Sequence, residues 1–309
     1  MYDKVKLWID RAIVDAGYPL IANYLDRGKQ EADLETGEIK TFGSIGGLKV
    51  SVFPNGVSII GSLPKFLYGS NVYPLDRHAT AQSIEKISDK LHFNAEKADV
   101  KGVEFGTNFL MKHPVADYLA KLGEMPRLHR YHVEQQTLYY KGKQQRKVLC
   151  FYDKAADAKA KGIDCPLDGN LLRYEMRLNW RLAKMFNVPE VKASTLAEAG
   201  FYRAVMRRYQ SSYFSISKQN QIKPNAMNEI KTVSDAFNVF VARLINQSDP
   251  TQILEFLDEL KKINAFEDRK YYSRLKAKIK EVASKEDITV SDELVKELDN
   301  EIKKCGAYV

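Results

Sequence analysis

Alternating apolar and polar residues predict several strands in the first half of the chain. The alternation runs over residues 5–9 and again over 102–109, and a period of two is typical of a half-buried strand. Residues 48–63 form two β-rich runs around Asn55-Gly56, a dipeptide that favours a tight hairpin turn. The sequence therefore predicts a hairpin with separate strands before and after it.

A second hairpin is predicted over residues 132–154, where two β-rich runs flank the polar turn Lys-Gly-Lys-Gln-Gln. In residues 171–178 charged residues alternate with apolar ones, so this segment is interpreted either as a strand or as the start of a helix. The long polar stretch 26–46 is predicted to be an exposed loop.

Helical spacing of apolar residues first occurs over residues 78–93, and a further helix is predicted after Pro114. After about residue 190 every apolar run has helical spacing, with Ser, Asp or Asn near its start as an N-cap. The pattern therefore divides the chain into a mixed region, 1–190, and a helical region or separate domain, 191–309.

The composition of the 309 residues is that of an ordinary globular protein, with 44% hydrophobic and 28% charged residues. No apolar run approaches the roughly 18 residues of a membrane span, and the first residues do not resemble a signal peptide. The three cysteines, Cys150, Cys165 and Cys305, are too few and too scattered for a disulfide framework. We expect a soluble protein of the reducing cytoplasm with no membrane partner.

The charge is +8, and its distribution is more informative than its size. Residues 201–223 mix basic and aromatic residues and contain no acidic residue. Basic side chains can neutralise phosphates while aromatic rings stack on unpaired bases. A helix that packs its aromatic rings and leaves its arginines in solvent has the same pattern, so both interpretations stay open. The candidate DNA contacts here are Arg203, Arg207 and Arg208.

The familiar motifs of nucleotide-binding loops, zinc proteases and serine hydrolases are missing from the sequence. The positions that stand out are Glu104 within a predicted strand, Tyr152 with Lys154, and Arg173 with Glu175. On an alternating strand, residues two apart share a face, so Tyr152 and Lys154 are predicted to point the same way.

A tyrosine oxygen can attack a phosphodiester and form a phosphotyrosine link. That reaction is assisted by a divalent metal on carboxylate or imidazole ligands and by a cation near the nucleophile. Glu104, Glu175 and His132 could supply the metal ligands, and Lys154 the cation. Strand tyrosines are common, however, and the spacing alone favours a structural Tyr152.

Four segments, in order, resemble the replication proteins of the gene II type found in filamentous phages, and more loosely the plasmid initiators and nickases of rolling-circle replication. The similarity covers about residues 48–190, and the four segments are "GSLPKFLYGSNVY" (61–73), "VKGVEFGTNF" (100–109), "TLYYKGKQQRKVLCFYDK" (137–154) and "LLRYEMRLNWRL" (171–182).

This resemblance implies that Tyr152 is the residue that becomes linked to DNA. Glu104 takes the place of the acidic residue in the family's Arg-x-Asp strand, with Gly102 where the family has Arg, and Glu175 matches the Arg-aromatic-Glu segment. His132 has no firm counterpart. The implied cofactor is Mg²⁺ or Mn²⁺, with Glu104 and Glu175 as its implied ligands, and His132 is kept as a further candidate ligand on the strength of its residue type alone.

The implied fold is α+β: an antiparallel-sheet nicking domain of the HUH or Rep-like type with helices packed on it, followed by a helical C-terminal region that helps to recognise the origin or a partner. The implied function is rolling-circle initiation, in which the protein nicks one strand at an origin and later rejoins it. The expected partners are origin DNA with a single-stranded or hairpin segment, and a host helicase and polymerase. The further candidate DNA contacts are Arg173, Lys141 and Lys143.

Other functions stay open. A relaxase or a transposase would use the same tyrosine chemistry, and a DNA-binding regulator without catalysis would need Tyr152 only for structure. An RNA-binding module fits the basic segment 201–223 but not the ordered resemblance. A second tyrosine could take part in strand closure, and Tyr139 and Tyr140 are the nearest, although adjacent hairpin aromatics usually pack across strands.

Overall fold

The computed structural model describes residues 1–73, 75–133, 136–162, 167, 169–285 and 288–306. Cys165 lies outside the described residues, whereas Cys150 and Cys305 are buried free thiols. Within the described residues no helix combines the length and the apolar character needed to cross a membrane.

Ten strands form one antiparallel sheet in the order β2-β3-β4-β5-β1-β6-β10-β9-β8-β7. These strands are β1 (Tyr2–Asp10), β2 (Asp26–Ala32), β3 (Ile39–Ile45), β4 (Leu48–Phe53), β5 (Gly56–Ser62), β6 (Asp99–Met111), β7 (His129–Val133), β8 (Thr137–Lys141), β9 (Lys147–Asp153) and β10 (Asn170–Leu178). A two-stranded sheet pairs β11 (Asn220–Ile222) with β12 (Thr289–Ser291).

The helices lie between the strands in the first two thirds of the chain and dominate the last third. They are α1 (Arg11–Val14), α2 (Leu63–Tyr68), α3 (Arg77–Leu91), α4 (Val115–Lys121), α5 (Lys154–Ala160), α6 (Leu182–Phe186), α7 (Ala199–Phe214), α8 (Val233–Gln247), α9 (Pro250–Lys262), α10 (Lys270–Ala283) and α11 (Glu293–Cys305). Short 3₁₀ segments cover Asp15–Tyr24, Ala95–Lys97, Ser194–Ala197 and Ala226–Glu229.

The predicted α+β class, with a large antiparallel sheet and a helical C-terminal region, is confirmed. Both predicted hairpins form, β4–β5 around Asn55-Gly56 and β8–β9 around the polar turn. The segment 171–178, for which strand and helix were both open, is strand β10. The predicted loop over 26–46 is wrong, because it contains β2 and β3. Every residue of β2 is exposed, so this edge strand forms by backbone pairing and shows no apolar alternation.

The main hydrophobic core lies between the sheet and the helices that cover one face of it. It contains side chains from both sides of residue 190, among them Tyr174 of β10, Tyr209 of α7 and Leu298 of α11. A smaller separate cluster contains Val239 and Ala242 of α8 with Val282 of α10. The division of the chain into 1–190 and 191–309 stays a prediction.

Candidate active site

Strand β10 carries the centre of the candidate site, because its side chains alternate between the two faces of the sheet. Tyr174 and Met176 are fully buried on the face that α7 covers. Arg173, Glu175 and Arg177 lie on the other face, which we call the polar face. Antiparallel neighbours share a face, so the register of the adjacent strands decides which side chains meet these three.

Glu175 accepts hydrogen bonds from three side chains on the polar face. The Tyr152 hydroxyl donates to Glu175 Oε1 at 3.0 Å, Arg173 Nε donates to the same oxygen at 2.6 Å, and Arg177 Nη2 donates to Oε2 at 2.8 Å. Burial by itself raises the pKa of Glu175, but the two guanidiniums outweigh burial and hold that pKa at about 2. Glu175 is therefore a carboxylate at neutral pH.

Tyr152 lies on β9 directly opposite Arg173 of β10. Burial raises the pKa of the Tyr152 phenol, and the negative charge of Glu175 raises it further, although Arg173 acts in the opposite direction. The phenol is thus neutral at pH 7 and donates to Glu175. Activation of its oxygen as a nucleophile requires removal of that proton, and Glu175 is the acceptor already in contact.

Asp3 of β1 is a second buried carboxylate of this site and was not among the predicted site residues. Arg173 Nη2 donates to Asp3 Oδ2, and Arg173 Nη1 donates to Asn108 Oδ1 at 3.0 Å. The Asn71 amide and the Ser62 hydroxyl also donate to Asp3. Arg173 is therefore held between two carboxylates, which fixes the position of Glu175. The sequence feature that could have indicated Asp3 is an acidic residue at the start of a strand in which apolar and polar residues alternate.

Glu104 of β6 shares the polar face, because β6 pairs Glu104 with Arg177 and Gly106 with Glu175. Arg177 Nε lies 3.9 Å from Glu104 Oε1. Burial raises the pKa of Glu104, and Arg177 opposes that rise. A Cβ atom on Gly106 would lie 2.8 Å from the Tyr174 carbonyl oxygen and 3.0 Å from Glu175 Cγ. A larger residue at position 106 would therefore crowd Glu175, and glycine leaves room for the Glu175 side chain.

The alternation predicted that Lys154 continues the strand and points the same way as Tyr152. In the structure Lys154 is instead the first residue of helix α5. Strand β9 ends at Asp153, whose carboxylate accepts a hydrogen bond from the Ala156 amide at 2.9 Å and caps α5. A carboxylate at the N-cap satisfies a free amide of the first helical turn, so the helix begins at Lys154. The ammonium is nevertheless buried, 3.6 Å from Asp157, and its pKa is lowered by burial and then by Arg173.

His132 lies on the opposite face of the sheet from Glu175. The register pairs His132 with Leu138, Leu138 with Phe151, and Phe151 with Tyr174. His132 thus shares the face of Tyr174, the face that α7 covers. The structure does not bring this histidine to the carboxylates with which it was predicted to bind a metal.

The predicted metal site, Glu104 with Glu175 and His132, is therefore not assembled. Within the described ranges, no group of three or more His, Cys, Asp or Glu side chains could hold a metal ion. Both oxygens of Glu175 already accept hydrogen bonds from Arg173 and Arg177, whose positive charges oppose a nearby cation. The donors in this arrangement do not fit Mg²⁺ or Mn²⁺, which require several free oxygen ligands.

The polar face continues across β8 and β7 as a basic and aromatic surface. Tyr131 is paired with Tyr139, which lies opposite Cys150, and Cys150 lies opposite Glu175. Lys141 Nζ lies 4.6 Å from the centre of the Tyr131 ring and 5.6 Å from that of Tyr139. Lys141, which was predicted to contact DNA, therefore lies on the same face as Tyr152.

The two tyrosines considered for strand closure lie on different faces. Tyr140 is fully buried on the face that α7 covers, and its hydroxyl donates to the Gly123 carbonyl at 2.7 Å. Tyr139 lies on the polar face, and burial raises its pKa. Of the pair, only Tyr139 therefore shares the polar face with Tyr152.

The basic segment 201–223 begins in α7, which packs on the opposite face of the sheet from Tyr152. Four of its aromatic side chains are buried: Phe201, Tyr202, Tyr209 and Tyr213. These rings are therefore not available to stack on bases, and the interpretation as a packed helix is right for them. Arg203 and Arg207 are exposed, Arg208 is half-buried, and Lys143 lies in the exposed β8–β9 turn.

The fold and the site define an α+β protein with a tyrosine, carboxylates and guanidiniums together on one face of a large antiparallel sheet. Residues 1–214 match the family model that describes the N-terminal region of a phage replication-associated protein. Because this match spans more than half of the 309 residues, the chain belongs to that family of replication-associated proteins. The resemblance to phage replication proteins of the gene II type is thereby confirmed.

A solved structure described as the rolling circle replication initiator protein from Geobacillus stearothermophilus is similar at 10% sequence identity and a TM-score of 0.40. The similarity covers 74% of this chain and 89% of that chain. Likeness at this level supports no conclusion about the site. No curated protein matches the sequence.

Proposed function

We propose that the chain is a site-specific DNA-nicking enzyme that initiates rolling-circle replication, with Tyr152 as its nucleophile. The observation that carries the proposal is the 3.0 Å hydrogen bond from the Tyr152 hydroxyl to Glu175, beside two guanidiniums on one sheet face. Membership of a family of replication-associated proteins supports a role in DNA replication. Origin DNA is the proposed substrate, and a host helicase and polymerase are the proposed partners.

In the proposed reaction the Tyr152 oxygen attacks the phosphorus of one phosphodiester. A bond forms between that oxygen and phosphorus, the bond from phosphorus to the 3′ oxygen breaks, and the 5′ phosphate stays attached to Tyr152. The phenolic proton passes to Glu175, and the leaving 3′ oxygen takes a proton from solvent water to become a hydroxyl that a polymerase can extend. The covalent link conserves the phosphodiester energy, so attack by a 3′ hydroxyl later rejoins the strand.

Arg177 is the guanidinium better placed to meet the DNA phosphate. Its side chain is 31% exposed, whereas that of Arg173 is 4% exposed. A phosphate that draws Arg177 away from Glu175 removes one of the charges that lower the pKa of Glu175. The carboxylate then becomes a better acceptor for the phenolic proton, while Arg177 offsets the charge that develops on the phosphate. Arg173 stays bound to Asp3 and acts as a positioning residue.

The surface formed by Tyr131, Tyr139 and Lys141 supports a path for single-stranded DNA towards Tyr152. Tyr131 is 44% exposed, so its ring can stack on an unpaired base, and Lys141 can contact a phosphate of the same strand. Stacking of a base on a protein ring requires an unpaired base, so Tyr152 would meet a phosphodiester of an opened strand. This surface favours a nicking enzyme that acts on a melted or hairpin segment.

The deciding experiment incubates the protein with supercoiled DNA of its own replicon in buffer containing Mg²⁺ and follows conversion to open circles. Wild type is expected to nick and to remain attached to DNA in denaturing gels, and the attached peptide is expected to contain Tyr152. Tyr152→Phe should abolish nicking and attachment while DNA binding persists. Tyr174→Phe is the matched control, because it removes one tyrosine hydroxyl from the neighbouring strand on the face away from the proposed DNA path, and it should keep nicking.

Unchanged nicking by Tyr152→Phe would overturn the assignment of the nucleophile. Failure of wild type to nick, with origin binding retained, would instead favour a DNA-binding protein without catalysis. A relaxase or transposase would perform the same chemistry, and it would prefer a transfer origin or an element end over the replication origin in this assay.

A further inference from the structure

A second basic site lies on the opposite face of the sheet from Tyr152. It is an open depression of about 580 Å³ between α6, α7 and the start of β9. Its polar lining consists of Lys147, Arg207, Arg208, Ser211, Ser212 and Ser215. Among the described residues that line the depression there is no Asp or Glu. The lining of the depression therefore brings positive charges and hydroxyls together, and no described acidic side chain of the lining balances the positive charges.

Lys147 is placed in this depression by the register of the sheet. It lies opposite Leu178, which is fully buried on the face that α7 covers. Its ammonium donates to the Ser212 hydroxyl at 2.7 Å. Burial lowers the pKa of Lys147 to about 8, and the positive charge of Arg208 contributes to this shift. A negative charge in the depression would remove that repulsion.

Arg208 is held in position without a carboxylate partner in the depression. Its Nη1 donates to the Met185 carbonyl at 2.9 Å, and its guanidinium lies 5.3 Å from the centre of the Phe186 ring. Its Nε is buried and makes no hydrogen bond within the described part of the chain. Arg173, by contrast, is bound by two carboxylates. Among the described residues the Arg208 side chain donates only through Nη1, so the guanidinium, which lines the depression, keeps a donor group for an external acceptor.

We propose that this depression binds a phosphate group, with Arg208 and Lys147 as its main contacts and Arg207 at its rim. A guanidinium presents two parallel donors that match phosphate oxygens, and an ammonium adds a point charge. The three serine hydroxyls of the lining already donate to carbonyls of α7, so the two cations supply the contacts. A neutral ligand would leave the repulsion between Lys147 and Arg208 in place, whereas a phosphate offsets both charges.

The phosphate can come from the DNA backbone or from a free phosphate ion. In the first case duplex DNA contacts α7 on the side of the sheet away from Tyr152, so the protein would hold DNA on two faces. In the second case the site binds a small anion independently of DNA. The proposal concerns a site outside the nicking centre and does not depend on the tyrosine chemistry.

The first measurement is the melting temperature of the full chain in sodium phosphate and in sodium chloride of equal ionic strength. Phosphate should raise the melting temperature of wild type above its value in chloride. Arg208→Gln and Lys147→Met should lose this increase, and Arg243→Gln should keep it. Arg243 is an exposed arginine of α8 outside the depression, so its variant carries the same charge change as Arg208→Gln.

The second measurement is the salt dependence of binding to a duplex of the origin. One lost phosphate contact is expected to lower the slope of log K against log salt by about 1. A lower slope for Arg208→Gln than for Arg243→Gln identifies the DNA backbone as the ligand. Phosphate-specific stabilisation with an unchanged slope identifies a free anion.

If Lys147→Met or Arg208→Gln does not fold, Arg207→Gln replaces it, since Arg207 is exposed and its loss leaves the core intact. The proposal is wrong if phosphate gives wild type no more stability than chloride and the depression variants bind DNA with the slope of the control. Loss of nicking in Tyr152→Phe leaves both measurements unchanged, which separates this site from the proposed active site.

Discussion

The two faces of strands β9 and β10 are built from alternate residues of the same short segments, yet they differ in chemistry. On one face Phe151 and Tyr174 stack at 4.3 Å between ring centres, and α7 covers them. On the other face Arg173, Glu175 and Tyr152 form a hydrogen-bonded cluster. Both sets are largely buried. Burial alone therefore does not distinguish the core from the candidate site; the presence of ionised partners does.

Tyr152 and Tyr174 show this difference for one residue type. The Tyr174 hydroxyl donates to the Tyr209 carbonyl at 3.1 Å, and the Tyr209 hydroxyl donates back to the Tyr174 carbonyl at 3.0 Å. Both partners are neutral backbone groups, so this pair joins the helix to the sheet. Tyr152 instead donates to an ionised carboxylate that is itself bound by two guanidiniums, so its hydrogen bond is part of a charged cluster.

The largest effect is expected from removing the central cation of the polar face. Arg173→Met leaves Asp3 and Glu175 buried without their shared partner, and loss of one member of a buried ion pair costs about 3–5 kcal/mol. Urea unfolding followed by circular dichroism measures the free energy of unfolding. Arg177→Met, at a more exposed position, is the control and should cost less. A loss below about 1 kcal/mol for Arg173→Met would mean that the charged cluster adds little to stability.

The pH dependence of stability tests Glu175 directly. Its pKa is about 2 in the folded protein against an ordinary value of 4.5, so its stabilising contribution is complete above pH 4.5 and is lost as the pH falls towards 2. The contribution is on the order of 3 kcal/mol, because one pKa unit corresponds to about 1.4 kcal/mol. Wild type should therefore lose more stability between pH 5 and pH 3 than Glu175→Gln does.

Glu255→Gln, at an exposed position of α9, is the control for this comparison and should follow wild type. Equal losses for wild type and Glu175→Gln over this pH interval would show that the two guanidiniums do not stabilise the carboxylate as the geometry indicates.

The smallest effect on stability is expected from two single-hydroxyl deletions, one on each face. Tyr174→Phe removes a hydrogen bond to a neutral carbonyl, which costs about 1 kcal/mol, and Tyr152→Phe removes one to a carboxylate, which costs about 1.5–3 kcal/mol. Both variants should stay folded, but only Tyr152→Phe should abolish nicking. A loss of nicking in both variants with intact folding would mean that the two faces are not functionally separate.

Much of the local structure could be predicted from the sequence. Asn55-Gly56 indicated the first hairpin, and the alternation through Arg173, Glu175 and Arg177 placed these charges on one face once β10 was a strand. Period-two alternation predicts a face because successive side chains of a strand point in opposite directions. β2 could not be found in this way, because all of its side chains are exposed and only backbone pairing defines it.

Which strands are neighbours was decided only by the tertiary structure. Asp3 reaches Arg173 because β6 alone separates β1 from β10 in the sheet, although 170 residues separate them along the chain. His132 lies on the other face because the register across β8 and β9 determines its side. A local pattern specifies the period of an element, whereas strand order and register depend on hydrogen bonds and packing between distant segments. The sequence by itself therefore determined which reactive residue types are present and which of them share a face of β10. The tertiary structure determined which of these side chains come into contact.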